Sequence, residues 1–481
     1  MNDPKSPTLI ARERWLLAGL IASLLFSIYL MVPVAGGAHP LPFAPGLAPL
    51  KMIRDATIGL GVAVLLVLAW RRAGQGLDPS IRGRFKTLTG LVGTTALPFL
   101  GYFGLLVAIQ STAALAAGDR GQLVAVAMGL RNTVLFGVVA VTVALTVRPI
   151  AAWLLLQKLT LAFTAVAVIG LLETRWGFIH NPIWDTTVAG VVVQRISSTV
   201  ADHIRCGIVC ALGVTLWSAR LLALDLRKWR PALWAGAGFV VCATALAATG
   251  SRAPAAAALA GVLVVTGRCK RWRWLAVLPV LLVVILATAP GLRARITATV
   301  DGWHEWGRPA LEADIGELRE DLAPDHSPDW EPDIADDRTV SSTRRRISTV
   351  RLALLELRED GRWVFGMGLG RSALALKYAF GARVMPLESA VFNITYEAGL
   401  VGLACTALLV FGRPRRESPG NDPSTSPDPL RLSLLGMLAV LVLMSVTYET
   451  TAGFPVNLLF GTVIGLRRGL GSPASDTAGP R

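Results

Sequence analysis

Long apolar runs alternate with short basic segments along almost the whole chain. A helix needs about 20 apolar residues to cross a bilayer, and one run after another approaches that length. The pattern predicts twelve spans, at about 15–33, 53–70, 87–109, 122–147, 151–172, 203–219, 231–249, 253–267, 274–290, 389–412, 432–448 and 454–466. We therefore expect an all-α polytopic membrane protein.

The composition supports this class. Of the 481 residues, 53% are hydrophobic and only 16% are charged, and the mean hydropathy is +0.55. A soluble chain carries roughly 25% charged residues, so a single soluble enzyme is not expected. The net charge of +15 lies mostly in short tracts between apolar runs. That distribution indicates membrane topology rather than a nucleic-acid-binding surface.

The basic tracts also predict the orientation. If the N-terminus is cytoplasmic, the inside segments are 71–86, 148–149, 220–230, 268–273, 413–431 and the tail from 467, and each carries Arg or Lys. This agrees with the positive-inside rule for short loops, so both ends are expected in the cytoplasm. The first run, from Trp15 to Pro33, exceeds the roughly 7–15 residues of a signal-peptide core. It is interpreted as a retained anchor.

The sequence carries no recognisable cofactor motif. A phosphate-binding-loop pattern, an HExxH motif and an EF-hand loop are all missing from it. Four of the five cysteines lie inside apolar runs, which favours small buried side chains over a disulfide or zinc site. We expect no metal and no cofactor, so the energy for any reaction has to arrive with the substrate.

One loop is large enough to form a small domain. It divides the chain into spans one to nine (1–290), the loop (291–388), and spans ten to twelve with the tail (389–481). Between 301 and 337 it holds thirteen acidic residues against two Arg, and this half is expected to be flexible. The other half, 338–383, holds ten basic residues against three acidic ones.

Within the basic half, apolar residues recur at helical spacing. Ile347, Val350, Leu354 and Leu357 predict an amphipathic helix lying on the outer membrane surface. The following glycines, in Gly366–Gly370, are interpreted as a tight turn between two helices.

Three arginines on the outer side are candidates for binding an anion. Ser251 can cap the eighth span and Pro254 suits its first turn, so the positive end of that helix would lie beside Arg252. The alternative is that Arg252 reaches toward lipid headgroups. Arg195 and Arg346 would add positive charge, although attraction to anionic lipid also explains Arg346. Together the three could hold a diphosphate.

Two charged residues are predicted to lie inside the membrane. Arg131 in the fourth span and Glu397 in the tenth would both sit roughly 13 Å below the outer surface, at about 1.5 Å per helical residue. An unpaired charge at that depth is costly. We therefore expect a buried ion pair between them.

These segments together form an ordered series of short motifs. In chain order they are Lys51–Asp55, Gly129–Asn132, Thr249–Arg252, Arg346 followed by Phe365–Gly370, and Glu388–Gly402. The series resembles the O-antigen ligase and O-antigen polymerase family of bacterial inner-membrane glycosyltransferases, which have a large periplasmic loop between spans nine and ten.

The resemblance implies a metal-independent, inverting glycosyltransferase of the membrane-embedded C type. Its donor would be an undecaprenyl-diphosphate-linked glycan, and its acceptor a glycan or a lipid. The family's diphosphate-binding arginines correspond here to Arg195, Arg252 and Arg346. Ligases of the family often carry a histidine in the segment that enters span ten, where this chain has Pro386-Leu387-Glu388. The departure favours a polymerase over a ligase.

Glu388 is the first candidate for the catalytic base, because an acceptor hydroxyl needs a base within hydrogen-bond reach. An acidic residue favoured in the first turn of a helix is the alternative interpretation. Asp202 and His203 are held in reserve. Membrane lipids and other polysaccharide-assembly proteins are expected partners, and nucleic acid is not. A lipid-linked saccharide transporter or flippase is the competing class, although the internal repeats typical of transporters are not evident.

The topology is directly testable. Reporter fusions within 301–337 should be extracytoplasmic, and fusions after Arg71 or Arg413 should be cytoplasmic. A cytoplasmic signal at residue 320 would reject the orientation, because donor and acceptor would then lie on opposite sides of the membrane.

Overall fold

The computed structural model describes residues 95–146, 149–176, 203–224, 229–269, 272–287, 338–372, 389–412, 429–448 and 456–470, together with a few shorter stretches. Those stretches are 186–188, 191–193, 195–196, 198, 289, 292–293, 296–297, 387 and 450. The first two predicted spans, the acidic half of the large loop, Asp202 and Glu388 lie outside the described residues.

Helices dominate the described part of the chain. They are α1 (Leu97–Ala117), α2 (Arg120–Gly129), a π-helical turn (Leu130–Val134), α3 (Leu135–Thr146), α4 (Pro149–Trp176), α5 (His203–Ala223), α6 (Trp229–Ala248), α7 (Arg252–Arg268), α8 (Trp272–Ala287), α9 (Arg338–Glu359), α10 (Ala390–Phe411), α11 (Pro429–Thr447) and α12 (Val456–Leu470). One short antiparallel hairpin, β1 (Thr186–Val188) and β2 (Val191–Val193), precedes α5.

Seven helical stretches within the described residues are long and apolar enough to cross a membrane. They are Leu97–Ala117, Arg120–Ala144, Ala152–Trp176, His203–Ala223, Trp229–Ala248, Ala390–Phe411 and Pro429–Thr447. They correspond to the predicted spans three to seven, ten and eleven. The protein is therefore an all-α, multi-pass membrane protein. The helices α7 and α12 lie at the predicted eighth and twelfth spans and contain 17 and 15 residues.

The bounds of the third span differ from the prediction of 87–109. Its helix begins at Leu97, with Pro98 in the first turn, where a missing N–H costs nothing. It ends at Ala117, and the left-handed backbone of the following Gly118 (φ 65°) lets its N–H group bond to the carbonyls of the last turn. Gln110, expected just beyond the span, consequently lies within the helix.

The core is organised around α5, which is buried on almost every side by α4, α6, α7 and α11. Cys206 and Cys210 lie fully buried in it, as the interpretation of small buried side chains predicted. At the opposite end of the bundle from the start of α5, Arg467 and Arg468 of α12 donate hydrogen bonds to the last carbonyls of α10, those of Leu408, Leu409 and Val410.

The predicted amphipathic helix in the large loop is confirmed as α9, but its apolar face contacts protein. Leu352, Ala353 and Leu357 are buried in a small apolar cluster with Leu387 and Tyr396. The prediction of a helix resting on the membrane surface missed this contact. As a result, α9 is attached to the first half of α10.

Candidate functional site

Two of the candidate residues, Arg195 and His203, are in direct contact. Nη1 of Arg195 lies 3.0 Å from Nε2 of His203, and both side chains are buried. A guanidinium can only donate, so Nε2 of His203 is the acceptor of this hydrogen bond. The N–H of Ile196 donates to the carbonyl of Ala248 (3.4 Å). This bond ties the segment before α5 to the end of α6.

The turn between α6 and α7 lies against the same pair. The hydroxyl of Ser251 donates to the carbonyl oxygen of His203 (3.4 Å), and Gly250 adopts a left-handed backbone (φ 61°) beside the Arg195 side chain. Ser251 is the N-cap residue of α7, yet its hydroxyl makes no capping bond. The predicted N-cap position is therefore confirmed, but the capping hydrogen bond is not formed, because the hydroxyl donates to the carbonyls of His203 and the neighbouring Thr249 instead.

The structure thus assembles an arginine–histidine cluster, defined as Arg195, His203 and the turn Thr249–Arg252. Arg252 is the first residue of α7, and Pro254 lies in the first turn as predicted. Arg346 lies within α9, although its side chain is outside the described part. The positions of Asp202 and Glu388 are likewise not described.

The residues next to Glu388 lead back toward this cluster. Ser389 caps α10 by accepting a hydrogen bond from the N–H of Phe392, and the N–H of Ala390 donates to the carbonyl of Tyr448 (3.2 Å). The hydroxyl of Tyr448 accepts a hydrogen bond from Nε of Arg205 (3.3 Å), two residues after His203. The starts of α5 and α10 therefore meet at the end of α11. Sequence reasoning missed Arg205 and Tyr448.

Glu397 is buried in α10 and is held by donors from two distant segments. Thr133 Oγ1 donates to Oε2 (2.7 Å) and Ser372 Oγ to Oε1 (2.6 Å). Thr133 belongs to the π-helical turn, a feature frequent at functional sites. Arg131 lies in the same turn, and its ion pair with Glu397 stays a prediction.

Two residues beyond Glu397, α10 is broken. Gly399 has φ 67° and ψ −171°, a conformation that favours glycine and interrupts the helical hydrogen bonds. Backbone groups of α10 beside the break are hydrogen-bonded to other segments. Three carbonyls accept: Tyr396 O from Met367 N–H (2.8 Å), Glu397 O from Gly368 N–H (2.9 Å) and Ala398 O from the Tyr102 hydroxyl (2.6 Å). Two N–H groups donate: Leu400 to Trp363 O (2.9 Å) and Val401 to Val364 O (3.2 Å). The protein itself fills the gap.

Most of these partners belong to the segment 363–370, which ends in the glycine loop, defined as Gly366–Gly370. The predicted turn is present, with positive φ at Gly366, Gly368 and Gly370. It is also wedged between α2 and α10, because a Cβ on Gly370 would overlap the carbonyl of Ala125. No larger residue fits there without moving a helix.

A cavity of about 450 Å³ opens beside the glycine loop. Its lining residues are Gln110, Asp119, Gly121, Gln122, Ala125, Arg362, Met367, Gly368, Leu369 and Arg371. Among the residues that the structure describes, no group of three or more His, Cys, Asp or Glu side chains could hold a metal ion.

Compared with known proteins, the chain matches no family model and no curated sequence.

The role of Glu397 can be measured by a double-mutant cycle. Glu397→Ala leaves the hydroxyls of Thr133 and Ser372 without their acceptor, so it should lower the free energy of unfolding by about 3 kcal/mol. Combined with Ser372→Ala it should show a coupling energy of at least about 1 kcal/mol in SDS titrations of the purified protein.

Ser433 provides the control, because its hydroxyl bonds only within α11, to the Pro429 carbonyl. Its effect should be additive with that of Glu397→Ala. An additive result for Ser372 would contradict the assignment. The same cycle with Arg131→Ala tests the ion pair, and a coupling energy near zero would reject it.

Proposed function

We propose that this protein is a glycosyltransferase embedded in the bacterial inner membrane. It transfers or polymerises glycan from an undecaprenyl-diphosphate-linked donor on the periplasmic face, as an inverting, metal-independent enzyme. The proposal includes twelve spans of the C-type glycosyltransferase architecture with both ends in the cytoplasm. The observation that carries it is the arginine–histidine cluster at the start of α7.

The chemistry of the donor requires such a cluster. Diphosphate leaves with negative charge, so catalysis needs fixed positive charge at that point. Arg195 and Arg252 supply two guanidinium groups, which suit phosphate oxygens through their planar fork. The hydroxyl of Ser251 is bonded elsewhere, so it does not cap α7, and N–H groups at the start of that helix can face an anion.

The contact between Arg195 and His203 supports Glu388 as the base. Because Nε2 of His203 already accepts a hydrogen bond from Arg195, that nitrogen is not available to take the acceptor's proton. His203 is then a positioning residue for Arg195. Ser389, the residue that follows Glu388 in the chain, lies at the end of the bundle where α5, α10 and α11 meet. Attack from there, opposite the diphosphate, would invert the anomeric centre.

The break in α10 favours a transporter, since transporters bind substrate at interrupted helices. In that class the freed backbone groups face substrate or ions. Here the groups beside Gly399 are bonded to the segment 363–370 and to Tyr102. The filled break supports the glycosyltransferase over the transporter. Attachment of finished polymer to a lipid acceptor, the ligase reaction, remains the second candidate.

Arg252→Lys tests the diphosphate site. Lys keeps the charge but loses the planar fork, so the variant should reach normal levels in the membrane while glycan transfer falls about tenfold or more. The measurement is the chain-length profile of surface polysaccharide in a complemented deletion strain. Arg175→Lys is the control, at an exposed arginine near the end of α4. Equal transfer by Lys and Arg at 252 would assign the residue to lipid contact.

Glu388→Gln tests the base and separates the two reactions. It preserves shape but removes basicity, so transfer should fall by about two orders of magnitude while donor binding survives. A polymerase variant should accumulate single lipid-linked repeat units. A ligase variant should instead build long polymer on the carrier and fail to attach it. Glu359→Gln, an exposed acid at the end of α9, is the control. Wild-type activity in Glu388→Gln would move the base assignment to Asp202, because Nε2 of His203 already accepts from Arg195.

A further inference from the structure

The cavity beside the glycine loop shares no residue with the arginine–histidine cluster. Three segments build it: Gln110 from α1, the first turns of α2 with the preceding Asp119, and the stretch from Arg362 to Arg371. The topology predicted from the basic segments puts all three on the outer side of the membrane. At about 450 Å³ it falls within the roughly 300–1,000 Å³ usual for small-ligand sites.

The polar groups of the lining match a hydroxylated ligand that carries negative charge. Two carboxamides, Gln110 and Gln122, can each donate and accept hydrogen bonds, as sugar hydroxyls require. The lining contains two exposed arginines, Arg362 and Arg371, and one carboxylate, that of Asp119. Asp119 Oδ1 accepts from the N–H of Gln122 (3.0 Å) and caps α2. The cavity therefore carries an excess of positive charge.

The floor of the cavity is held in a fixed shape by interior contacts. Gln110 Oε1 accepts from the N–H of Leu369 (3.0 Å), and the N–H of Gly368 donates to the Glu397 carbonyl. The buried Glu397 carboxylate holds Ser372, directly after Arg371. A site already ordered before binding loses less entropy when the ligand arrives.

We infer that this cavity binds an acidic sugar, a pyranose that carries a carboxylate, as part of the glycan. The inference rests on the proposed function, because the glycan supplies that sugar. The carboxylate pairs with Arg362 and Arg371, whose forked donors suit it, and the ring hydroxyls bind the two carboxamides. Phosphate shares the attraction to arginine but has few hydroxyls to donate to the carboxamide oxygens of Gln110 and Gln122.

The test is saturation-transfer difference NMR on the full-length protein in phosphatidylcholine nanodiscs. The probes are glucuronic acid and glucose, which differ only at C6, with inorganic phosphate as competitor. Glucuronic acid should bind about tenfold more tightly than glucose. Arg362→Gln and Arg371→Gln should each weaken its binding about tenfold. Arg358→Gln, at an exposed arginine of α9 outside the lining, should leave it unchanged.

Equal binding of the two sugars would overturn the inference, and so would full binding by both cavity variants. Complete displacement of glucuronic acid by an equal concentration of phosphate would also overturn it, by showing a simple anion site. Glycan transfer in the complemented strain is scored separately. Normal transfer without glucuronic acid binding rejects the cavity alone, whereas glucuronic acid binding by a protein whose deletion leaves the chain-length profile of surface polysaccharide unchanged rejects the proposed function alone.

Discussion

Interrupting a helix inside a bilayer obliges the protein to find partners for the backbone groups that are set free, because each unsatisfied group there costs several kcal/mol. The break at Gly399 in α10 creates this demand, and the segment 363–370 meets most of it. A segment of the large loop is thereby fixed to the membrane helices. The position of the glycine loop, the hydrogen bond from Ser372 to the Glu397 carboxylate and the floor of the cavity all depend on that attachment.

Helix α10 consequently connects the arginine–histidine cluster with the cavity beside the glycine loop. Its first residues bond to Tyr448 at the end of α11, which Arg205 of α5 also contacts. Its middle holds the glycine loop and, through Glu397, the π-helical turn. Its last carbonyls accept hydrogen bonds from Arg467 and Arg468. A displacement of α10 would therefore be felt at both the arginine–histidine cluster and the cavity.

The sequence predicts the architecture better than it predicts the contacts. Apolar runs locate seven of the spans, and the helical spacing of Val350, Leu354 and Leu357 locates α9, because burial in lipid or protein imposes these patterns directly. Ser251 is the N-cap residue as predicted, but its capping hydrogen bond is not formed, since its hydroxyl donates to the carbonyl of His203, 48 residues away along the chain. The partners of Glu397 lie 25 and 264 residues away. The spacing of residues along the chain carries no information about such long-range hydrogen bonds, which depend on how the helices pack.

The arginine–histidine cluster and the cavity both contain arginine, yet their surroundings suit different chemistry. In the arginine–histidine cluster, Arg195 is buried and oriented by His203. Its guanidinium is therefore held in one orientation and its charge is only weakly screened by solvent, as the proposed stabilisation of a departing diphosphate requires. In the cavity, Arg362 and Arg371 are exposed and accompanied by carboxamides. Solvent screening weakens the attraction between charges there, so recognition of the proposed ligand has to come from several directed hydrogen bonds. A glycosyltransferase needs both kinds of site, one for the leaving group and one for the sugar.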